Sequence, residues 1–410
     1  MYSWLRNASR FVIPPRRTYA ASALQQHLFE RISTFGPISV AEFMKESLTN
    51  PLHGYYMKSD VFGKFGDFIT SPEICQIFGE LIGVWFVNEW QELQRPQSFS
   101  FIELGPGRGT LVCDILRVFS RFPSVYNALT LHLVEVSPAM RSLQQNSIEK
   151  TVEKLGLSAP STMWHTDFRD VPHGQPAFVL AHEFLDALPV HQFQKNPNGQ
   201  WHEVLVGLSE EGSGESKLCF VQAPNRTPAQ VAYLPLVATL LEGREFCELS
   251  PRALLLTDQI CQRIAQDGGA ALLVDYGHLG DKKNTLRGFR KHQVCDPLLD
   301  PGGIDLTCDV DFSFLRKRAQ DSGCAVEVFG PESQAYFLIN MGLLTRLKAL
   351  ASQCNSVAHR EELISGCEML ITGEQMGERF KFLAIVQKSC TNAGRQIPGF
   401  FALPGTPYAE

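Results

Sequence analysis

The sequence predicts an α/β fold built on a mostly parallel sheet. From residue 99 onward, short apolar runs alternate with segments of helical length, as in repeated βαβ units. The first of these runs leads directly into a glycine-rich loop and a helix start. With 410 residues, 44% of them hydrophobic, the chain is long and apolar enough to bury one large core or two smaller ones.

The individual elements follow from the same pattern. The apolar runs that predict strands are Phe99–Leu104, Leu129–Val136, Ala177–Ala181, Ala270–Asp275 and Phe380–Val386. Thr110–Phe119 and Pro138–Leu155 predict the helices between the first of them. The segment 190–207 alternates apolar and polar residues about a turn at Asn196–Gly199, which predicts an inserted hairpin.

The chain divides into regions of different composition. In order they are a segment at 1–26, a helical region at 27–98, the sheet domain at 99–390 and a tail at 391–410. Apolar spacing predicts helices over Leu24–Met44, Phe78–Leu93 and Tyr336–Leu350. Polar, Gly- and Ser-rich composition predicts a surface loop over 208–230. Region 281–350 is interpreted as a substrate or partner region, either a lid or a docking surface.

The segment 1–26 has the composition of a mitochondrial presequence. Four arginines and no acidic residue occur before Glu30, together with several Ser and Ala. We expect cleavage near Tyr19 and Ala20. A basic disordered tail is the alternative.

The overall composition excludes several classes of protein. The formal net charge of −6 argues against an extensive nucleic-acid-binding surface and favours a cationic partner. No apolar run is long enough to predict stable membrane insertion. The 11 cysteines include no C-x-x-C pair, so we predict neither a disulfide framework nor a metal site.

The segment Glu103–Gly109 carries the first chemical signal. Gly105, Gly107 and Gly109 stand at alternate positions after a strand and before a helix, where the backbone turns sharply and a ligand approaches closely. A nicotinamide site expects G-x-G-x-x-G around a pyrophosphate, whereas here an acid, Glu103, precedes G-x-G-x-G. This pattern predicts S-adenosylmethionine, whose cationic end suits Glu103. A tight turn without a ligand is the alternative.

Two further acids extend the predicted cofactor site. Glu135 closes the next strand, where a carboxylate accepts hydrogen bonds from ribose hydroxyls. Asp167 follows the third strand, where its side chain would contact the adenine amino group. For Asp167, a plain capping role is an alternative of similar weight.

A carboxylate pair predicts the acceptor chemistry. Glu183 and Asp186 follow the strand Ala177–Ala181, at the sheet edge where open α/β sheets bind ligands. Two carboxylates suit a guanidinium, which stays cationic and offers forked donors. A capped helix start is the alternative for this pair. His182 is interpreted as a general base, as an orienting group for a substrate carboxylate, or as a structural histidine.

Two later segments also carry acids. Asp275 to His278 ends another strand, at the same ligand edge of the sheet. The segment from Asp305 to Phe312 has the pattern of a helix start rich in acids.

Taken together, these motifs resemble the MidA family of mitochondrial complex I assembly methyltransferases. The resemblance runs from about Pro37 to Val386, and its most specific segments are Gly66–Glu73, Glu103–Gly109, His182–Val190, Asp275–Gly277 and Asp305–Phe312. It implies a class I, Rossmann-like methyltransferase fold, with a seven-stranded sheet and added helices. It also implies symmetric dimethylation of an arginine on a core iron–sulfur subunit of complex I, in the mitochondrial matrix.

The resemblance assigns further roles to residues of this chain. It implies that Gly66, Asp67 and Ser71 approach the methyl donor from an N-terminal lid within 27–98. It also implies that the loop glycines hold the donor and that the carboxylate pair faces the substrate. Bacterial members of the family have Asn where this chain has His182. The resemblance therefore does not support a catalytic role for His182.

Three functions are consistent with the sequence. The first is an S-adenosylmethionine-dependent protein arginine methyltransferase. The second is a small-molecule O- or N-methyltransferase, which would require a closed and mostly apolar pocket. The third is a non-enzymatic assembly chaperone that binds the methyl donor. The sequence predicts neither the oligomeric state nor which arginine is modified.

Overall fold

The computed structural model describes residues 22–57, 71–210, 216–388, 394–402 and 406–408. Its helices are α1 (Ala23–Phe35), α2 (Val40–Thr49), α3 (Ser71–Ile74), α4 (Gln76–Glu92), α5 (Thr110–Phe119), α6 (Pro123–Ala128), α7 (Pro138–Leu155), α8 (Pro228–Tyr233), α9 (Pro251–Asp267), α10 (Phe312–Gln320), α11 (Gln334–Asn340), α12 (Leu343–Gln353) and α13 (Val357–Ile371). Short 3-10 turns add Tyr55–Met57, Phe168–Asp170 and Leu234–Leu240, and a π turn adds Gly373–Gly377.

Its strands form three sheets. They are β1 (Ile38–Ser39), β2 (Phe99–Leu104), β3 (Leu129–Val134), β4 (Ser161–His165), β5 (Ala177–His182), β6 (His191–Lys195), β7 (Trp201–Glu210), β8 (Ser216–Gln222), β9 (Phe246–Leu249), β10 (Gly269–His278), β11 (Arg287–Arg290), β12 (Gln293–Cys295), β13 (Asp305–Thr307), β14 (Val310–Asp311), β15 (Val326–Ser333) and β16 (Phe380–Gln387).

The main sheet has the order β15-β16-β10-β5-β2-β3-β4, with β14 paired to β10. The pairs from β10 through β4 are parallel, whereas β16 runs antiparallel to β10 and β15 antiparallel to β16. The carboxyl ends of β2, β3, β4, β5 and β10 therefore meet at one edge of the sheet. Ligands of open α/β sheets bind at this edge.

The core lies on both faces of the main sheet. In β2, Phe99 and Phe101 pack into the cluster that contains Trp85 of α4, whereas Ile102 and Leu104 pack into the cluster on the other face. Alternate residues of a strand point to opposite faces, so β2 is apolar almost throughout because both of its faces are covered. This burial explains why its ends were predictable from the sequence.

An inserted antiparallel sheet follows β5. Its order is β1-β7-β6-β9, with β8 paired to β7. The predicted hairpin is present as β6 and β7. The predicted loop over 208–230 is wrong, because β7 extends to Glu210, β8 pairs with it, and α8 begins at Pro228. Residues 211–215 lie outside the described residues and are rich in Gly and Ser. Their composition suggested a loop, so the alternating pattern of the two flanking strands was not recognised.

Two predicted helices are each interrupted by a glycine with positive φ. The pattern over Leu24–Met44 forms α1 and α2, because Gly36 ends α1 at φ +88° and Pro37 follows. The pattern over Tyr336–Leu350 forms α11 and α12, which are separated at Gly342 with φ +91°. The acid-rich segment from Asp305 forms β13 and β14 first, and its end is the predicted helix start, since Asp311 caps α10 at Phe312.

The N-terminal region packs against distant parts of the chain. β1 pairs with β7, with Ile38 opposite Val206. The Ser22 hydroxyl donates to the carbonyl of Pro301 at 3.4 Å, across 279 residues of sequence. Among the described residues, no helix combines the length and the apolar character needed to cross a membrane.

Candidate functional site

A cavity of about 680 Å³ opens at the carboxyl edge of the main sheet. The predicted site residues that line it are Glu103, Gly105, Gly107, Glu135, Asp167, His182, Glu183 and Asp186. Tyr56, which the sequence analysis did not single out, also lines the cavity. So do Glu73, Tyr276 and Thr307, which lie in segments that it singled out without giving these residues roles of their own. Gly66 and Asp67, which the family resemblance implicates, lie outside the described residues. The structure thus brings the separate sequence motifs together around one cavity.

The glycine loop after β2 has the strained geometry that its sequence predicts. Gly105, Gly107 and Gly109 have φ of +63°, +52° and +79°. A Cβ on Gly105 would approach the Phe184 ring to 2.7 Å, whereas one on Gly107 would meet no atom within 4 Å. Gly107 therefore faces open space in the cavity. Gly109 lies behind the loop and precedes α5, where a Cβ would lie 3.4 Å from Gln144.

Gln144 of α7 connects this loop to the end of β3. Its amide nitrogen donates to the carbonyl of Gly107 at 2.8 Å and to the Glu135 carboxylate at 3.2 Å. Its amide oxygen accepts from the indole of Trp164 at 2.9 Å. Sequence reasoning missed this residue. The sequence does contain a signal for it. Gln144 lies four residues from both Met140 and Ile148, so it is a polar residue on the buried face of α7.

Glu103 is a buried carboxyl that faces the cavity. It is 3% exposed, and within the described part of the chain its Oε2 has no hydrogen-bond partner. Burial, with a smaller contribution from Asp114, raises the pKa of Glu103 to about 8. Buried polar atoms are normally paired, so this carboxyl is suited to a cationic guest that would restore its ionised form.

Glu103→Gln is expected to stabilise the ligand-free protein above neutral pH. A raised carboxyl pKa favours the protonated folded state, so stability falls as pH rises from the ordinary value of 4.5 towards about 8. The neutral amide avoids this loss. We expect equal melting temperatures for the two proteins at about pH 4 and a higher one for the variant at about pH 8.5.

The matched control is Glu149→Gln, on the exposed side of α7. It is expected to show no such pH-dependent gap. If the melting temperatures of Glu103→Gln and the unmodified protein differ by the same amount at both pH values, the raised pKa does not belong to this carboxyl.

Glu135 and Asp167 both cap backbone segments. Glu135 accepts from the Ser137 amide at 2.8 Å and faces the cavity. Asp167 accepts from the Arg169 amide at 3.0 Å and forms ion pairs with the side chains of Arg169 and Arg252. Hydrogen bonding to Arg169 lowers the pKa of Asp167 to about 2. The structure therefore shows the capping role of Asp167, and its contact with adenine stays a prediction.

Residues 183–186, which we call the carboxylate turn, are held by Asp275 of β10. The Asp275 Oδ2 atom accepts from the amides of Phe184, Leu185 and Asp186 at 3.1, 2.8 and 3.1 Å. Glu183 has φ +49°, an unfavourable conformation for a residue with a side chain. Asp275 thus fixes a strained turn that places two carboxyls in the cavity. The sequence placed Asp275 at the ligand edge, but not as the anchor of this turn.

Burial governs the charge of the carboxyl pair. It raises the pKa of Glu183 to about 8, and neighbouring Asp186 adds to the effect. It also raises the pKa of Asp186 to about 7, against the opposing charge of Arg287. A bound cationic group would lower both pKa values again, because an opposite charge nearby favours the ionised carboxylate. The pair is therefore matched to a cation rather than to a neutral or anionic group.

His182 is buried against aromatic rings. Its ring centroid lies 5.0 Å from that of Phe78, and its Nε2 is 3.4 Å from the Glu183 Oε1. Burial lowers the pKa of His182 to about 3, so the ring is neutral and a weak base. This favours the structural interpretation of His182 over the general base.

Ser71 begins α3 directly beside the carboxylate turn. Its amide donates to the Glu183 Oε1 at 3.2 Å. Its hydroxyl is buried, and no hydrogen-bond partner for it occurs among the described residues. Ser71 therefore positions Glu183, and its approach to the methyl donor stays a prediction.

Comparisons with known proteins decide the family. A sequence profile described as "Putative S-adenosyl-L-methionine-dependent methyltransferase" matches residues 81–330. The chain belongs to this methyltransferase family. It is 45% identical to a protein of Mus musculus over 93% of the chain and 88% of that protein. It is 46% identical to a protein of Homo sapiens over 90% of the chain and 85% of that protein. Both relatives are named "Protein arginine methyltransferase NDUFAF7, mitochondrial".

A crystal structure confirms the fold of the methyltransferase. A Burkholderia thailandensis protein bound to S-adenosyl-homocysteine superposes with a TM-score of 0.74, at 24% identity over 89% of this chain and 92% of that one. The predicted class I fold and the family resemblance are therefore confirmed.

The cofactor of this methyltransferase is S-adenosylmethionine, as the sequence predicted. The residues present fit it. The unpaired oxygen of Glu103 suits a cationic end, and Gly107 leaves space that a Cβ would fill.

Proposed function

We propose that the methyltransferase modifies an arginine of a protein substrate. The observation that supports this most directly is the pair formed by half-buried Glu183 and buried Asp186, which line the same cavity as the glycine loop. A guanidinium stays cationic and presents forked donors that two carboxylates accept. The names of the relatives in mouse and human point to the same acceptor.

We further propose the substrate and the compartment. The family resemblance supports a core iron–sulfur subunit of complex I, modified in the matrix to symmetric dimethylarginine. The relatives' names support arginine as the acceptor and a mitochondrial location. The arginine-rich segment at 1–26 fits import, although it lies mostly outside the described residues. In this role the enzyme acts on the subunit during assembly.

The chain's own residues have defined tasks in this reaction. When bound, S-adenosylmethionine supplies an electrophilic methyl group. Glu103 is proposed to hold its ammonium group and Glu135 its ribose, with Gln144 fixing Glu135 in place. Glu183 and Asp186 are proposed to orient the guanidinium and direct electron density to one terminal nitrogen. Such a transfer depends mainly on positioning, because the methyl group is already activated.

The cavity lining argues against a neutral small-molecule acceptor. The acidic residues that line it are Glu73, Glu103, Glu135, Asp167, Glu183, Asp186 and Asp305. The basic lining residues are Lys45, Arg108, Arg169 and Arg252, so the acids outnumber them. An excess of carboxylates favours a cationic acceptor.

Incubation of the purified enzyme with radiolabelled S-adenosylmethionine and isolated complex I subunits tests the proposal. We expect label on arginine, with symmetric dimethylarginine identified by mass spectrometry of the digested product. Absence of label on arginine, with S-adenosyl-homocysteine binding intact, would remove the arginine assignment. Label on a small molecule instead would favour the second candidate function.

A further inference from the structure

β13 forms a wall of the cavity next to the carboxylate turn. Asp305 and Thr307 both line the cavity, and residues two apart in a strand share a face. The amide of Cys308, directly after β13, donates to the carbonyl oxygen of Asp186 at 3.0 Å. This hydrogen bond joins the end of β13 to the turn that carries the proposed acceptor carboxyls.

The Thr307 hydroxyl is a buried polar group at the cavity wall. Thr307 is 4% exposed, and among the residues that the structure describes its Oγ1 has no hydrogen-bond partner. An unpaired buried hydroxyl destabilises a folded protein, so most such groups are paired. Because Thr307 lines the cavity, a bound molecule can supply the partner.

Tyr56 adds a second hydroxyl from the N-terminal region. Its OH donates to the Asp305 Oδ1 at 2.9 Å. Burial and the nearby charges of Asp305 and Asp186 raise the pKa of Tyr56, so its hydroxyl stays protonated. Tyr56 therefore holds Asp305 in a fixed orientation at the cavity wall.

The neighbouring basic residues are engaged elsewhere. Arg287 and Lys282 each lie 2.6 Å from the carboxylate of Asp309. Arg287 also lies over the Tyr276 ring, 5.7 Å from its centroid. These two cations thus neutralise Asp309.

We infer that Asp305, Thr307 and Tyr56 form a second acceptor wall, next to the carboxylate turn, that binds N–H groups of the substrate guanidinium. The inference rests on the proposed arginine substrate. A guanidinium carries five N–H donors. The two carboxylates of the carboxylate turn lie beside the attacking nitrogen and are not placed to accept hydrogen bonds from all five. The wall supplies a hydroxyl acceptor and a third carboxylate. It would also distinguish a planar guanidinium from a compact ammonium.

The test uses Thr307→Val, which keeps the shape of the side chain and removes the hydroxyl. Affinity for methylguanidinium is measured by calorimetry on the full chain saturated with S-adenosyl-homocysteine. We expect about tenfold weaker binding than for the unmodified enzyme, as for a lost hydrogen bond to a charged group. The control Thr162→Val removes a hydroxyl on β4 that bonds the Pro160 carbonyl outside the cavity, and should bind normally.

Equal affinity of Thr307→Val and the unmodified enzyme would overturn the second wall, while leaving the proposed function intact. Failure of the unmodified enzyme to bind methylguanidinium would instead overturn both. Retained S-adenosyl-homocysteine binding shows that each variant is folded. Asp305→Asn provides an independent test. It should weaken the binding of methylguanidinium at least as much as Thr307→Val does, and unchanged affinity would contradict the proposed second acceptor wall.

Discussion

Glu183→Gln is expected to lower kcat/KM for an arginine-containing substrate by about a hundredfold or more. The amide keeps the size of the side chain but removes the charge that neutralises and orients the guanidinium. Loss of one partner of a buried charged interaction typically costs about 2–5 kcal/mol, which corresponds to this range. Affinity for S-adenosyl-homocysteine should stay unchanged, because the cofactor site is assigned to other residues. Steady-state kinetics with labelled cofactor and calorimetry provide the two measurements.

Glu149→Gln is the matched control for this substitution. Its carboxylate is exposed on α7 and accepts a hydrogen bond from Gln145 at 2.9 Å. It should retain full activity. If Glu183→Gln methylates arginine at the same rate as this control, the carboxylate turn is not the acceptor site.

Gly107→Val is expected to weaken S-adenosyl-homocysteine binding by about a hundredfold or more. The new side chain would meet no protein atom within 4 Å of its Cβ, so the loss must come from the space that the cofactor needs. The substitution also adds backbone strain at φ +52°, which costs about 1–2 kcal/mol of stability. Calorimetric titration and thermal melting separate the two effects.

Gly156→Val isolates the strain. Gly156 follows α7 with φ +66°, and a Cβ there also meets nothing within 4 Å. This control should lose stability but keep cofactor affinity. In cells that lack the enzyme, full rescue of complex I assembly by Gly107→Val would favour the non-enzymatic chaperone over the methyltransferase function. Normal cofactor affinity of Gly107→Val would contradict the placement of the cofactor at this loop.

The fold was predictable where local sequence rules and burial agree. β2, α5 and α7 have the predicted ends, because the strand is apolar on both faces and the helices begin at Thr110 and Pro138. The prediction failed where one composition signal concealed another. The polar residues between β7 and β8 resemble a loop, yet their flanks alternate and pair. Gly36 broke a helical pattern that apolar spacing alone had continued.

The site was predictable only for residues that follow a strand. Glu103, Glu135 and Glu183 could be placed because parallel strands end at one edge of the sheet. Gln144 and Asp275 act through contacts across other elements, which spacing does not encode. Asp275 lies 89 to 91 residues from the amides that it holds, so only the folded sheet identifies its role.

The long-range contacts of the N-terminal region set an order for folding. Ser22, at the start of α1, forms a hydrogen bond with Pro301, which is 279 residues away in sequence. β1 pairs with β7 of the inserted sheet. Contacts between distant segments form slowly, because the entropy of closing the loop must be overcome first. The hydrogen bond from Tyr56 to Asp305 is a contact of the same kind, across 249 residues. A chain that lacks residues beyond 300 would therefore be expected to leave the acceptor wall unassembled, even with the glycine loop complete.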